Sequence, residues 1–189
     1  MTAMPVAQRM SAEEFLALPL REDSAREELV NGEVVVSEVS PLHATVQGRI
    51  FFALESWVRA GSGRGTTLFP VDVGLDERNV YVPDVLWYPE GRAPGPEARP
   101  SPVPGLAVEV RSPSTWIFNL GAKKSGYERQ GLSELWLVDT TAHEVLAFRR
   151  SGPEASGFDT GATLGRGEKL SSPLLPGFAL GVDELFERG

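Results

Sequence analysis

The sequence predicts an α+β domain, a central mixed β-sheet flanked by helices, with a β-hairpin near its N-terminus. Three observations predict it. Short β-prone runs recur between turn signals, while apolar residues at helical spacing occur only in a few separated stretches. An Asn-Gly pair sits between two such β-prone runs. The chain has 189 residues, 41% hydrophobic and 23% charged, which suits one globular domain over residues 1–189.

Ser11-Ala12-Glu13-Glu14 reads as a capping box, and a short helix over Phe15, Leu16 and Leu18 should stop before Pro19. Residues 20–27 are charged and read as a loop. Glu28–Val36 is a hairpin, with Asn31 and Gly32 supplying the positive-φ positions of a type I′ turn. Ser40-Pro41 opens a second helix, whose buried stripe is Val46, Ile50, Leu54 and Trp57/Val58. Gly61 and residues 62–65 end it. Thr67–Leu75 and Val80–Trp87 are two strands of a second hairpin turning at residues 76–79.

Residues 89–105 hold six prolines and three glycines and form a surface loop. Leu106–Arg111 is a strand, broken by Ser112-Pro113-Ser114-Thr115. A helix follows over residues 119–130, with Leu120, Lys123 and Tyr127 on one face. Leu135–Asp139 and Glu144–Arg149 form a further strand pair. Residues 150–181 are rich in Gly, Pro and Ser, and Val182–Phe186 closes the chain as a short helix. The order is roughly α β β α β β β α β β.

Composition removes several functions. There is no cysteine, which excludes disulfides, thiolate zinc sites and cysteine nucleophiles; two histidines exclude a three-His zinc site. The formal charge of −8 argues against a broad phosphate-binding surface, though not against acids gathered around a cation. No stretch approaches the roughly 20 apolar residues of a membrane span, and the N-terminus lacks an apolar signal core, so the expected location is cytoplasmic. Only three of the 18 basic residues are lysines, and two of them are adjacent, Lys123 and Lys124.

A few residues stand where chemistry could use them. Asp84 falls within a β-prone run and shares a face with Val80, Val82 and Leu86. It would need a metal or positive partner there, unless it ends a strand after Pro83 and accepts a turn hydrogen bond. Glu109 alternates with Val108 and Val110, either on a solvated face beside Arg111 or in a site. Lys123 lies on the inward stripe of its helix, either in a site or snorkelling at the edge. Lys124 points elsewhere, with Glu128 four residues on. Glu28 begins the hairpin, where it could be a surface acid beside Arg26, and His43 occupies the first turn of the second helix, where it could be a partly exposed cap-region side chain. His143 reads as a solvated turn residue. Two carboxylates on adjacent strands can share a divalent cation, and a nearby lysine can orient water or stabilise charge on a phosphate.

Taken together in this order, the residues resemble the PD-(D/E)XK nuclease superfamily and, more closely, its Uma-type restriction endonuclease family. The matching stretches are MSAEEFLALP, EELVNGEVVVS, Ser40-Pro41 with His43, VPDVLWYPEG, LAVEVRSPST, NLGAKKSGYERQGLSELWLVD and SPLLPGFALGVDELF. The resemblance implies a restriction-endonuclease-like core and a metal-dependent endonuclease that hydrolyses phosphodiester bonds in DNA. A catalytically inactive binding or assembly module on the same fold is the alternative. Asp84 and Glu109 would be ligands of Mg²⁺ or Mn²⁺, Glu28 the upstream acid, and Lys123 the lysine, supplied from the following helix. The simple motif would place lysine at Arg111, and arginine cannot act as a base at neutral pH. His43, Arg111 and Lys124 are candidate substrate contacts, and a homodimer is implied by analogy. The chain departs from the family pattern at Asn119, where an acidic residue is frequent.

Overall fold

The computed structural model describes residues 9–19, 26–112, 116 and 119–187. Helix α1 (Ala12–Leu16) starts at the expected capping box: Ser11 Oγ accepts from the Glu14 N–H at 3.1 Å, and Glu14 Oε2 accepts from the Ser11 N–H at 2.8 Å. It ends before Leu18, which lies exposed beyond it. Strands β1 (Arg26–Val30) and β2 (Glu33–Ser37) form the hairpin, with φ of 52° at Asn31 and 80° at Gly32. Arg26 and Glu27 thus belong to a strand, while residues 20–25 of the expected loop lie outside the described residues. Helix α2 (Pro41–Arg59) is capped by Ser40, whose Oγ accepts from the His43 N–H at 3.2 Å. Its buried stripe is His43, Val46, Gln47, Ile50 and Leu54.

Each of the two β-prone runs after α2 divides into two strands. The first gives β3 (Thr66–Leu68) and β4 (Val73–Asp76), the second β5 (Asn79–Tyr81) and β6 (Val85–Tyr88). The breaks fall at Pro70 and Pro83, because proline cannot donate to a ladder. At each break the chain changes sheet. Strands β4 and β5 pair as the expected hairpin beside β1, whereas β3 and β6 pair with each other elsewhere. Asp84 therefore sits immediately before β6 rather than inside a strand.

Residues 89–105 run as a loop, tied back by a bridge between Val73 and Ser101. Strand β7 (Leu106–Val110) follows, and the expected second long helix is a five-residue π-helical turn, Asn119–Lys123, continued by α3 (Lys124–Arg129). Leu120 leaves the predicted inward stripe and is exposed, since a π turn advances the face differently from an α turn. Strands β8 (Glu134–Asp139) and β9 (Glu144–Arg149) pair as expected. The Gly- and Ser-rich stretch after them contains three strands that its composition concealed: β10 (Thr160–Leu164), β11 (Lys169–Leu170) and β12 (Leu180–Gly181). Helix α4 (Val182–Phe186) ends the fold. His143 is an exposed turn residue with φ of 57°, its ring stacked on Phe186.

The larger sheet runs β10-β9-β8-β7-β6-β3, with β7 and β8 parallel and every other pair antiparallel. Both faces of β7 are buried, as a central strand requires. One face (Val85, Trp87, Leu106, Val108, Val110, Trp136, Val138) packs under α2 and the C-terminal residues Leu170, Leu175, Phe178 and Leu185. That segment is anchored by the fully buried Glu134, which accepts from Trp136 Nε1 at 2.5 Å, Arg149 Nε at 2.8 Å and Ser172 Oγ at 2.5 Å. The opposite face (Leu86, Ala107, Leu135, Leu137) meets Tyr81, Tyr127 and Val30. The smaller antiparallel sheet, β2-β1-β5-β4, supplies Val30 and Tyr81 to that layer. On its other side Leu29 and Val80 pack against Phe15 of α1.

Gly126 of α3 lies against Tyr81, and a Cβ at this position would stand 2.4 Å from the Tyr81 hydroxyl oxygen. Tyr81 also packs edge-on against Tyr127, with centroids 5.2 Å apart. Gly126→Ala is expected to destabilise the fold by about 1–3 kcal/mol through overpacking. Urea denaturation would register it as a lower midpoint at unchanged slope.

Candidate active site

The site forms where the two sheets and the π turn meet. The β6–β7 ladder pairs Val85 with Val108, so one step further Asp84 stands opposite Glu109. Asp84 N–H donates to the Val108 carbonyl at 2.8 Å, and the Val110 N–H donates to Asp84 Oδ2 at 2.6 Å. Glu109 points to the same side as Ala107, toward the smaller sheet. From that sheet β1 presents Arg26 and Glu28, two residues apart and so on one face. Glu28 Oε1 accepts from the Val82 N–H at 2.6 Å, which ties the hairpin to the turn before Asp84.

Lys123 closes the cluster at the end of the π turn. Its Nζ donates to Glu28 Oε1 at 2.8 Å and lies 2.6 Å from Glu109 Oε1. Tyr127, one α-helical turn on, donates its hydroxyl to the same Glu109 oxygen at 2.8 Å. The Lys123 ammonium also lies 5.5 Å from the centre of the Tyr81 ring. Glu28, Asp84, Glu109 and Lys123 are all at least 95% buried. Four residues that each had a purely structural alternative when read alone therefore converge in one buried cluster. The solvated-face alternative for Glu109 fails because the smaller sheet and α3 cover that face of β7.

The surroundings set the charges. Burial opposes ionisation of Asp84, but hydrogen bonding and charge from His43, the Arg26 guanidinium and the Val110 N–H hold its carboxyl below the usual range. Burial pushes the Glu109 carboxyl up to about 8, although the Lys123 ammonium pulls the other way. Burial also disfavours the Lys123 charge, yet Glu109 and Glu28 outweigh it and raise its pKa above the ordinary lysine range. Lys123 is therefore an ammonium at neutral pH, suited to donating hydrogen bonds and not to accepting a proton.

His43 lies beside Asp84, its Nε2 3.3 Å from Oδ1, while its buried Nδ1 has no hydrogen-bond partner among the described residues. Two further residues were not singled out in the sequence. Gln47 donates from Nε2 to the Asp84 carbonyl oxygen at 2.8 Å, and Arg26 donates from Nη2 to Gln47 Oε1 at 3.0 Å and from Nη1 to Asp84 Oδ1. Both were detectable: Gln47 is four residues after His43 on one helix face, and Arg26 is two before Glu28 on one strand face.

Arg111 and Lys124 do not join the cluster. Arg111 Nη1 contacts both Asp139 carboxylate oxygens at 2.9 Å, and its guanidinium lies over Trp116. Lys124 pairs with Glu128 at 3.2 Å and faces the rings of Phe148 and Phe158. The side chain of Asn119 lies outside what the structure describes.

Among the described residues no group of three or more His, Cys, Asp or Glu stands ready to hold a metal ion. Asp84 and Glu109 offer the two-carboxylate oxygen set that suits a hard divalent cation completed by water and phosphate. Glu28 is instead committed to Lys123 and the Val82 N–H.

A mixed sheet that presents paired carboxylates from adjacent strands, with a lysine from the next helix, defines a restriction-endonuclease-like fold. The family model described as "Putative restriction endonuclease" (Uma2) matches residues 12–183, and the chain belongs to that family. In structure it is similar to a protein described as a putative nuclease belonging to DUF820 from Anabaena variabilis ATCC 29413. The TM-score is 0.77 at 18% identity, covering 94% of this chain and 97% of the other. No curated protein matches the sequence.

Replacing Lys123 by Met would leave Glu28 and Glu109 buried without their shared cation. The expected loss is about 3–5 kcal/mol of folding stability, measured by urea denaturation.

Proposed function

We propose that this protein is a metal-dependent DNA endonuclease. The observation that carries the reading is the convergence of Asp84, Glu109, Glu28 and Lys123 in one buried cluster, in a member of a restriction endonuclease family. Asp84 and Glu109 would hold Mg²⁺ or Mn²⁺, and the bound ion would supply Lewis-acid activation of water and of a phosphate oxygen. Lys123, charged and fixed between two acids, orients the attacking water and offsets negative charge developing on the phosphate. Glu28 positions Lys123. His43 and Gln47 fix Asp84 from α2. A cytoplasmic location is part of this proposal; among the described residues no helix is long and apolar enough to cross a membrane.

A second reading, a nuclease-fold binding module without chemistry, draws on the formal charge of −8 and on the ammonium already seated between Glu28 and Glu109. One set of measurements separates the two. The endonuclease reading expects Mn²⁺- or Mg²⁺-dependent cleavage of duplex DNA, lost in Asp84→Ala and reduced roughly 100- to 1000-fold in Lys123→Ala. Cleavage that survives both substitutions refutes this site. Absent cleavage with no calorimetric metal binding supports the module.

The Glu109 carboxyl keeps its proton up to about pH 8. A cation binding its carboxylate must expel that proton, so Mn²⁺ affinity is expected to rise with pH and level off above about 8. The sign is opposite for folding. Because the folded state holds this proton more tightly than the unfolded chain, the contribution of Glu109 to stability falls as pH rises through that range. Calorimetric titrations from about pH 6 to about pH 9, which bracket that value, would follow the first effect.

We further propose a homodimer paired along β2. This strand is the last in the smaller sheet and leaves Val34 and Val36 about 40% exposed. Val36→Lys is expected to shift the protein to monomer in light scattering, with the fold retained by circular dichroism.

A further inference from the structure

Asp84 carries more partners than a cation ligand requires. Oδ2 takes the Val110 N–H, and Oδ1 lies against both Arg26 and His43. A divalent cation at Oδ1 would face the guanidinium across a single oxygen, and the two positive charges repel. One partner must give way. Val110 is fixed in a central strand, and His43 and Gln47 are buried on the inner face of α2. Arg26 differs from them. It is the first residue of β1, paired with Ser37 at the open end of the hairpin, and its side chain is 23% exposed, against 2% for Lys123.

We propose that Arg26 is the phosphodiester-binding residue of this site, passing from Asp84 to a phosphate of the bound nucleic acid and so leaving Asp84 Oδ1 to the divalent cation. This rests on the endonuclease reading above. The guanidinium fork suits the exchange, because it fits carboxylate and phosphate oxygens equally well in bidentate fashion. Arg26 already spans two acceptors, Asp84 Oδ1 and Gln47 Oε1, as it would span two phosphate oxygens. Trading one anion for another keeps the guanidinium compensated, while the charge released on Asp84 passes to the metal. His43 Nε2 stays on the other side of Oδ1 and keeps the carboxylate oriented during the exchange.

The arrangement also bears on the formal charge of −8. A chain with that charge repels DNA at a distance, so local phosphate contacts must do much of the holding. A cation shared between the metal ligand and the substrate makes DNA and metal bind cooperatively, each tightening the other by the same factor.

Two titrations test this on the full chain: Mn²⁺ alone by calorimetry, and a short fluorescent duplex with cleavage-resistant phosphorothioate linkages by anisotropy, with and without Mn²⁺. In the native protein Mn²⁺ should tighten duplex binding about tenfold. Arg26→Gln should bind Mn²⁺ alone about tenfold more tightly than the native protein, and Mn²⁺ should then change its duplex affinity less than about twofold. Arg26→Lys, which keeps a charge beside Asp84 but loses the fork, serves if Arg26→Gln does not fold; its coupling should fall to about threefold. Undiminished coupling in either variant, or weaker Mn²⁺ binding in Arg26→Gln, overturns the proposal and leaves Arg26 as a structural partner of Asp84. A native protein that binds neither Mn²⁺ nor duplex overturns the endonuclease reading itself, and the proposal with it.

Discussion

The structure depends on one buried charge. The Lys123 ammonium is sealed from water and held at hydrogen-bonding distance from Glu28 of the hairpin and Glu109 of the central strand. Moving such a charge out of water costs several kcal/mol unless polar partners receive it, and here the Glu28 and Glu109 carboxyl groups do. The smaller sheet, the larger sheet and the π turn are therefore fastened at one point. A cluster built in this way gains little net stability over an apolar plug of the same volume. What it gains is a set of polar groups fixed in position, with Tyr81 and Tyr127 forming the wall behind them.

The two changes of sheet explain how residues distant in sequence reach that point. The chain leaves the larger sheet after β3, makes the β4–β5 hairpin beside β1, and returns at Pro83-Asp84. Asp84 is thus the first residue back in the larger sheet, next to Glu109, while the residues just before it are still bonded to the hairpin through Glu28 and Val82.

Much of this was legible in the residues. The capping box, the Asn-Gly hairpin, the Ser40-Pro41 helix start and the inward position of Lys123 follow from local rules, and the structure repeats them. The sheet changes were not legible, because Thr67–Leu75 and Val80–Trp87 read as unbroken β-prone runs unless Pro70 and Pro83 are weighted as breaks. The strand at Thr160–Leu164 was missed because it is an edge strand with mostly exposed residues, so no apolar alternation marks it. Glu109 read slightly better as a solvated-face residue than as part of a site, since alternation reveals two faces and not whether both are covered. Arg26 and Gln47 needed no tertiary information. They share a face with Glu28 and His43, and the polar side of a periodic pattern carries as much information as its apolar side.

The π turn before α3 has a consequence for how this family can diverge. Five residues, Asn119–Lys123, occupy one turn where an α-helix would use fewer. The extra residue lies in the turn itself, so deleting one of residues 119–122 would let the segment rewind as ordinary α-helix and leave α3 close to its present phase. Lys123 and Tyr127, four residues apart and so on one face, would still turn together toward Glu109, while the strands on either side would keep their ladders. The length of this turn can thus differ by one residue among relatives without displacing the lysine, and an alignment that forces equal lengths here would misplace it.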